Sequence, residues 1–302
     1  MFIKTRNESK ELIIYRSLNA RMDLSDPDKQ QHYNLERGYE GEIMFDALLE
    51  KYLDCDCLIL NGLLFKLNTN FFQIDSLLIF PNTIYIYEIK NFIGDYYFDG
   101  EKFYKKPKTD INNPLHQSNR CELYLRKLLL NLGFTLSIDA SVVFINPECT
   151  IYQAPLNKPI IYPTQVVRYL KKLNNTPSKL SDKHRLLAER LVAQHIEDYP
   201  NGELPSYSFN GLRKGMMCKK CYSLSTSVDG LFCVCDVCGY RERVSTAVVR
   251  SVQEFKMLFP NERITTKVIY EWCRIVDSKK RISRILKANF DLVGVRQWSY
   301  YE

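Results

Sequence analysis

Asp75, Glu88 and Lys90 have the types and spacing to hold a divalent cation and act on a phosphate. They lie in FFQIDSLLIFPNTIYIYEIKN, residues 71–91. Strand side chains alternate faces. Gln73, Asp75, Leu77 and Ile79 therefore share one face of a first strand, and Ile84, Ile86, Glu88 and Lys90 one face of a second. Pro81-Asn82 supplies a turn between them. Pairing Ile79 with Ile84 across that turn sets Asp75 opposite Glu88 and Gln73 opposite Lys90, with facing Cβ atoms about 4.5–5.5 Å apart. Two carboxylates so close repel unless a proton or cation lies between them. Oxygen ligands in a partly hydrated cage suit Mg²⁺ or Mn²⁺. Such an ion acidifies a bound water and stabilises charge on a phosphate. Lys90 would orient the attacking water or hold the phosphate. The competing reading is a structural salt bridge from Glu88 or Asp75 to Lys90 at a sheet end.

The surrounding elements must aim these groups. Residues 36–52 read as a helix with Phe45, Leu48, Leu49 and Tyr52 at helical spacing. Gly38 and Gly41, near the expected helix start, permit close backbone approach. Glu42 falls on the buried side with Phe45 and Leu49 and needs a partner there. The cation site is one candidate, and the positive end of the helix dipole is the other. Strands are expected at 57–65, 71–80 and 83–92, a hairpin around Asp99-Gly100, a helix from Asn113-Pro114 to Leu130, and a buried strand at 141–146. Helices follow at 164–173 and 181–197, and the Pro/Gly/Ser-bearing stretch 197–208 reads as a linker.

Four ordered motifs resemble the nuclease-related domain, NERD, thought to belong to the PD-(D/E)xK nuclease superfamily. They are Gly38-x-x-Gly41-Glu42, Gln73-Ile74-Asp75, Glu88-Ile89-Lys90-Asn91 and Asn113-Pro114-x-x-Gln117. The resemblance covers about residues 34–150. It implies an α/β core with a mixed central sheet flanked by helices. It implies metal ligation by Asp75, Glu88 and the carbonyl of Ile89, with Lys90 as catalytic lysine and Glu42 as the helix acid. Gln117 matches a family position near the site, with Gln73 as a further supporting residue. Phe103 stands where a Trp is expected after the Asp-Gly turn, a matter of packing.

Five of the ten cysteines crowd between Cys218 and Cys238. In an intracellular chain that clustering reads as metal binding. Cys218-Lys-Lys-Cys221 and Cys235-Asp-Val-Cys238 form two CxxC knuckles 13 residues apart, the spacing of a four-cysteine zinc ribbon. Four thiolates close a tetrahedral Zn²⁺ site with no open position, so the zinc is structural. Cys233 is a spare thiol that would compete as a ligand. Lys219, Lys220, Arg241 and Arg243, with Tyr222 and Tyr240, suit phosphate contact and base stacking. A ribbon used only as a folded spacer is the alternative. Further on, Ile264, Val268, Ile269 and Trp272 mark one helix and Ile282, Ile285 and Leu286 a second, capped by Asp277-Ser278. The second carries Lys279, Lys280, Arg281, Arg284 and Lys287, as in a helix-turn-helix or winged-helix reader. A plain helical hairpin with a solvated basic face fits the same pattern.

Residues 36–148 carry eleven Lys/Arg against sixteen Asp/Glu, and residues 250–302 eleven against six. A basic tail beside an acidic core fits a polyanion-binding module joined to a cation-binding one. No signal peptide follows Met1, and no run reaches the roughly 18 apolar residues of a membrane helix. A cytoplasmic protein without membrane partners is expected. The expected organisation is a leader over 1–33, the nuclease-like domain over 34–150, a helical extension and linker over 151–210, the ribbon over 211–246, and a helical tail over 247–302. The function implied is a metal-dependent nuclease acting on nucleic acid, with DNA as the expected substrate. The alternative is an inactive nuclease-fold adaptor that binds nucleic acid or a protein through the ribbon and basic tail.

Overall fold

A computed structural model describes residues 1–197, 204–294 and 299–302. The chain forms two units: unit 1 comprises Met1–Ser9 and Asn34–Asn201, and unit 2 comprises Lys10–Tyr33 and Gly202–Glu302. In chain order the first elements are β1 (Phe2–Lys4), α1 (Lys10–Arg21), α2 (Asp26–Tyr52), β2 (Leu58–Leu67), β3 (Asn70–Ile79) and β4 (Thr83–Lys90). They are followed by β5 (Gly94–Asp99), β6 (Lys102–Lys105), β7 (Thr109–Ile111), α3 (Pro114–Asn131), β8 (Ser137–Phe144), β9 (Cys149–Tyr152) and β10 (Ile160–Ile161). Helices α4 (Val166–Leu173) and α5 (Asp182–Gln194) precede the ribbon strands β11 (Thr226–Asp229), β12 (Phe232–Cys235) and β13 (Arg241–Arg243). The chain ends in α6 (Val244–Leu258), α7 (Thr266–Cys273), α8 (Lys279–Asn289), β14 (Leu292–Val293) and β15 (Tyr300–Tyr301).

Unit 1 is organised by a mixed six-stranded sheet in the order β1-β2-β3-β4-β8-β10. β2, β3 and β4 run antiparallel in sequence; β1 is parallel to β2, and β8 is parallel to β4 and β10. Its central strands are buried on both faces, which explains their near-continuous apolar runs. Leu77, Ile79, Ile84 and Ile86 pack under Leu125 and Leu129 of α3 and Leu187 of α5. Leu78, Tyr87 and Ile89 alternate to the opposite face, under Phe45 and Leu49 of α2 and Leu170 of α4. A smaller sheet, β7-β6-β5-β9, stands beside it. The Asp99-Gly100 hairpin forms as expected, with Gly100 at φ 60. Phe103 is fully buried between Phe98 and Phe144, filling the Trp position with a smaller ring.

Several expected boundaries differ. The leader over 1–33 is ordered: β1 is the edge strand beside β2, and α1 is a helix of unit 2. The apolar alternation of a three-residue strand is too short to register as a period. The extension after residue 150 belongs to unit 1, since β10 completes the sheet and α5 packs on β2. Ribbon and tail share unit 2, where β13 runs without a break into α6 at Val244. Of the expected linker 197–208, residues 198–203 lie outside the described residues. Among the described residues no helix is long and apolar enough to cross a membrane.

Unit 2 holds the three-stranded sheet β11-β12-β13 and the β14-β15 hairpin. Its helices close around Arg21, which is fully buried and fully engaged. The guanidinium forks onto Glu254 at 2.8–2.9 Å, donates to the carbonyls of Arg213 and Gly215, and lies 3.8 Å over the Trp272 ring.

Candidate functional site

The expected register between β3 and β4 forms, and then stops at the chemistry. Ile79 pairs with Ile84, and the ladder continues through Ser76↔Tyr87. Beyond that pair β3 stays with β2 as far as Asn70, while β4 stays with β8 as far as Lys90. The sheet forks there, so Asp75/Glu88 and Gln73/Lys90 lie beyond the last rung, at the cleft of the fork, and are not ladder pairs. Asp75 closes the fork with its side chain: Oδ2 accepts the Ile89 N–H at 2.8 Å. On the other side the β2–β3 ladder keeps its register but omits the Gly62/Asp75 pair, with Gly62 at φ 61. The Asp75 carbonyl there accepts from Arg6 at 2.7 Å.

Asp75 and Glu88 are 7% and 5% exposed. Lys90 Nζ meets Glu88 Oε1 at 2.7 Å and donates to Gln117 Oε1 at 3.1 Å. Gln117 reaches the cleft because α3 starts where its motif says. Asn113 caps the helix by accepting the Leu115 N–H, Pro114 opens the first turn, and Gln117 follows one turn later. Exposed Gln73 is the outermost member, its amide 3.5 Å from Asp75 Oδ1. Ile89 contributes its N–H to the Asp75 carboxylate.

Glu42 is partnered by Arg6. Its Oε2 takes Arg6 at 2.5 Å, and the same guanidinium forks onto Asp46 at 2.9 Å. Arg6 is thus the residue that sequence reasoning missed, with Asp46 beside it. It lies in the segment after β1, and its contacts span up to 69 positions, so no local pattern marks it. The glycines also differ from expectation: the helix begins at Asp26, and Gly38 and Gly41 sit inside it. A Cβ on Gly41 would fall 2.4 Å from Asn91 Cβ, whereas one on Gly38 meets nothing within 4 Å. Asn91 cannot yield, because its amide donates to the Arg37 carbonyl and its Oδ1 accepts from Asn146, both at 2.8 Å. The two substitutions should therefore part in sign. Gly41→Ala overpacks and is expected to cost about 1–3 kcal/mol, partly offset by helix propensity. Gly38→Ala keeps only the propensity gain of up to about 1 kcal/mol. Equal melting shifts for the two variants would refute the close approach.

The electrostatics are those of acids crowded out of water. Burial, then the Asp75 charge, pushes Glu88 up to about 7 against the pull of Lys90. The same two causes push Glu42 up to about 8 against Arg6. Burial also raises Asp75, opposed by Lys90, the Ile89 N–H and Arg6. For Lys90 burial acts to lower the ammonium, but Glu88 and Asp75 outweigh it and hold it above its ordinary value. A hard divalent cation between Asp75 and Glu88 would reverse the penalty on both acids.

In unit 2 the thiol sulfurs of Cys218, Cys221, Cys235 and Cys238 all lie within 4.8 Å of one another. Cys218 and Cys238 are 3.7 Å apart, and Cys221 and Cys235 3.5 Å. Four sulfurs about 2.3 Å from one ion would stand about 3.8 Å apart in a tetrahedron, so the donor set is compatible with zinc. The two knuckles repeat one geometry. Tyr222 N–H donates to the Cys218 carbonyl and Gly239 N–H to that of Cys235, with both residues left-handed at φ 59 and 69. A tyrosine at such a φ is strained; Arg16 holds it through its hydroxyl at 3.0 Å and lies 4.6 Å over its ring. Cys233, the expected competitor, is buried and outside the cluster. Among the described residues these thiols are the one group of three or more ligand atoms so gathered; Glu42, Asp75 and Glu88 do not converge as a trio.

The expected cations are spread over unit 2. Lys219 and Lys220 are exposed on the first knuckle, and Arg243 is exposed at the start of α6. Arg241 is exposed but engaged, 3.2 Å from Asp229 and over the Phe232 ring. Lys279, Lys280 and Arg284 are exposed on α8. Arg281 also donates from its guanidinium to the Gly230 carbonyl, which ties α8 to the ribbon turn.

Residues 37–145 match the family model described as the nuclease-related domain. The match encloses Glu42, Gln73, Asp75, Glu88, Lys90 and Gln117, and leaves Arg6 outside. No curated protein and no solved structure matches the chain.

Proposed function

Because this chain carries a nuclease-related domain over residues 37–145, we propose that unit 1 is a metal-dependent nuclease that hydrolyses phosphodiester bonds of nucleic acid, with DNA as substrate. One observation carries the reading: at the fork of the sheet two buried carboxylates and an ammonium lie close enough to act on one another's charge, where a purely structural core would have apolar side chains. Asp75 and Glu88 would hold Mg²⁺ or Mn²⁺, with the Ile89 carbonyl beside them. Such an ion supplies an acidified water and neutralises charge on the phosphate. Lys90, steadied by Glu88 and Gln117, donates a hydrogen bond to the water or to a phosphate oxygen. Gln73 lines the outer rim. Glu42, paired with Arg6, would support the water or a second ion. The four thiolates of unit 2 take Zn²⁺ in a structural role.

The test is a cleavage assay of the full-length, zinc-loaded chain on single- and double-stranded DNA and RNA, with Mg²⁺ or Mn²⁺. Asp75→Ala and Lys90→Ala are each expected to lose at least roughly 100-fold in rate, since several kcal/mol of transition-state stabilisation depend on them. Unchanged rates in both variants would remove the site. No cleavage of any substrate by the wild type would favour the adaptor reading. Calorimetry supplies a second readout. Below about pH 7 Glu88 holds a proton that an incoming cation must displace, so Mn²⁺ binding should strengthen from pH 6 to pH 8 with proton release. That trend should flatten in Glu88→Gln.

A further inference from the structure

The C-terminal part of unit 2 has an order of elements that its sequence hints at and the nuclease reading does not use. α6, α7 and α8 each pack on the other two. Ile264, just before α7, forms an antiparallel bridge with Tyr301 of β15. The β14–β15 hairpin follows α8 and so returns to the start of α7. Helix, bridge, helix, helix and closing hairpin is the order of a winged helix, in which α8 occupies the recognition position.

The chemistry of α8 fits that position. Its eleven residues, KKRISRILKAN, contain no acid. Ile282 and Leu286 face the bundle and are fully buried. Lys280, Arg284 and Lys287 fall on the opposite stripe at helical spacing, are exposed, and pair with no carboxylate among the described residues. At the first turn of α8 a cavity of about 590 Å³ opens, lined by Arg213, Lys214, Lys267, Arg274 and Lys279 around Tyr270, with Glu271 as its single acid. Lys279, the first residue of α8, lines this cavity, its ammonium 5.3 Å over the Tyr270 ring. Arg274 is held in the α7–α8 turn at φ 46, a backbone that side-chain-bearing residues avoid. A structural turn would use glycine there; an arginine keeps a cation aimed at the cavity.

We propose that this part of unit 2 binds double-stranded DNA, with the Lys280–Arg284–Lys287 face of α8 in the major groove and the Arg274 cavity gripping the adjoining backbone phosphates. The duplex is DNA because the face is a helix: the B-form major groove is about 12 Å wide and admits one, whereas the A-form groove of duplex RNA is deep and narrow. The proposal stands whether or not unit 1 cleaves.

The test is fluorescence anisotropy on the full-length chain carrying Asp75→Ala and Glu88→Ala, without added divalent metal, so binding is read apart from cleavage. Probes are a 20-base-pair DNA duplex, its single strand, and a duplex RNA of equal length. The DNA duplex should bind at least tenfold more tightly than the other two. Lys280→Ala with Arg284→Ala should weaken it about tenfold or more, with zinc content and circular dichroism unchanged. Arg274→Gly, which relaxes the backbone, should lower the slope of log affinity against log salt by about 0.9, one phosphate contact. Equal binding of duplex RNA, or unchanged affinity and slope in these variants, would overturn the proposal. Tight duplex binding without cleavage by the unmutated chain would keep it and refute the nuclease reading alone.

Discussion

Arg6→Met is expected to destabilise unit 1 by about 3–5 kcal/mol, the range for stripping one partner from a buried ion pair. Methionine keeps much of the stem volume, so the loss isolates the guanidinium. That group is 2% exposed and satisfies Glu42, Asp46 and the Asp75 carbonyl together. Without it Glu42 and Asp46, one turn apart on α2, lose their shared partner, and the Asp75 carbonyl loses its donor. Arg6→Lys should fall between, because one ammonium cannot fork onto three acceptors. Denaturant unfolding followed by a probe in unit 1 measures this. A double-mutant cycle with Glu42→Gln should recover part of the loss, since the orphaned charge is then gone. A cost below about 1 kcal/mol would mean the network is a surface pair.

Cys218→Ser has the larger consequence for unit 2. The cluster joins the first knuckle to the second, which begins at the end of β12, and metal binding in such sites supplies roughly 10–16 kcal/mol that is also folding free energy. The variant should purify with less than one zinc per chain and with the ribbon strands disordered. Arg281 would then lose its acceptor at Gly230. Cys233→Ala is the control: its thiol lies outside the four, so zinc content should hold at one per chain. Full zinc retention in Cys218→Ser, or zinc loss in Cys233→Ala, would reassign the ligands.

The β3–β4 register was legible because side-chain alternation and the Pro81-Asn82 turn together leave one pairing, and Phe80 N–H closes that turn on Thr83. The fork was not legible. It is closed by Asp75, whose side chain takes the Ile89 N–H where a ladder would use backbone. The α2 start was misplaced because glycine usually punctuates helices; here Gly41 is set by the tight fit to Asn91, a tertiary cause. Arg6 left no periodic trace at all. The CxxC spacing carried the thiol cluster whole, since four ligands in two local turns need no long-range information. The basic run of α8 is legible as a helical face, but helical spacing cannot say that Arg281 reaches across the surface to the Gly230 carbonyl.

The split between β3 and β4 also bears on how the cleft can breathe. Past the Ser76↔Tyr87 pair each strand keeps its own outer neighbour, so the two lips are separately anchored. Spreading them costs no rung of either ladder but strains the clasp of the Asp75 carboxylate on the Ile89 amide and the hold of α3, where Cys121 donates to the Gln73 carbonyl and Gln117 accepts from Lys90. An ion that drew Asp75 toward itself would loosen that clasp as it bound. Loading the cleft and widening its mouth would then be one event, triggered at one side chain.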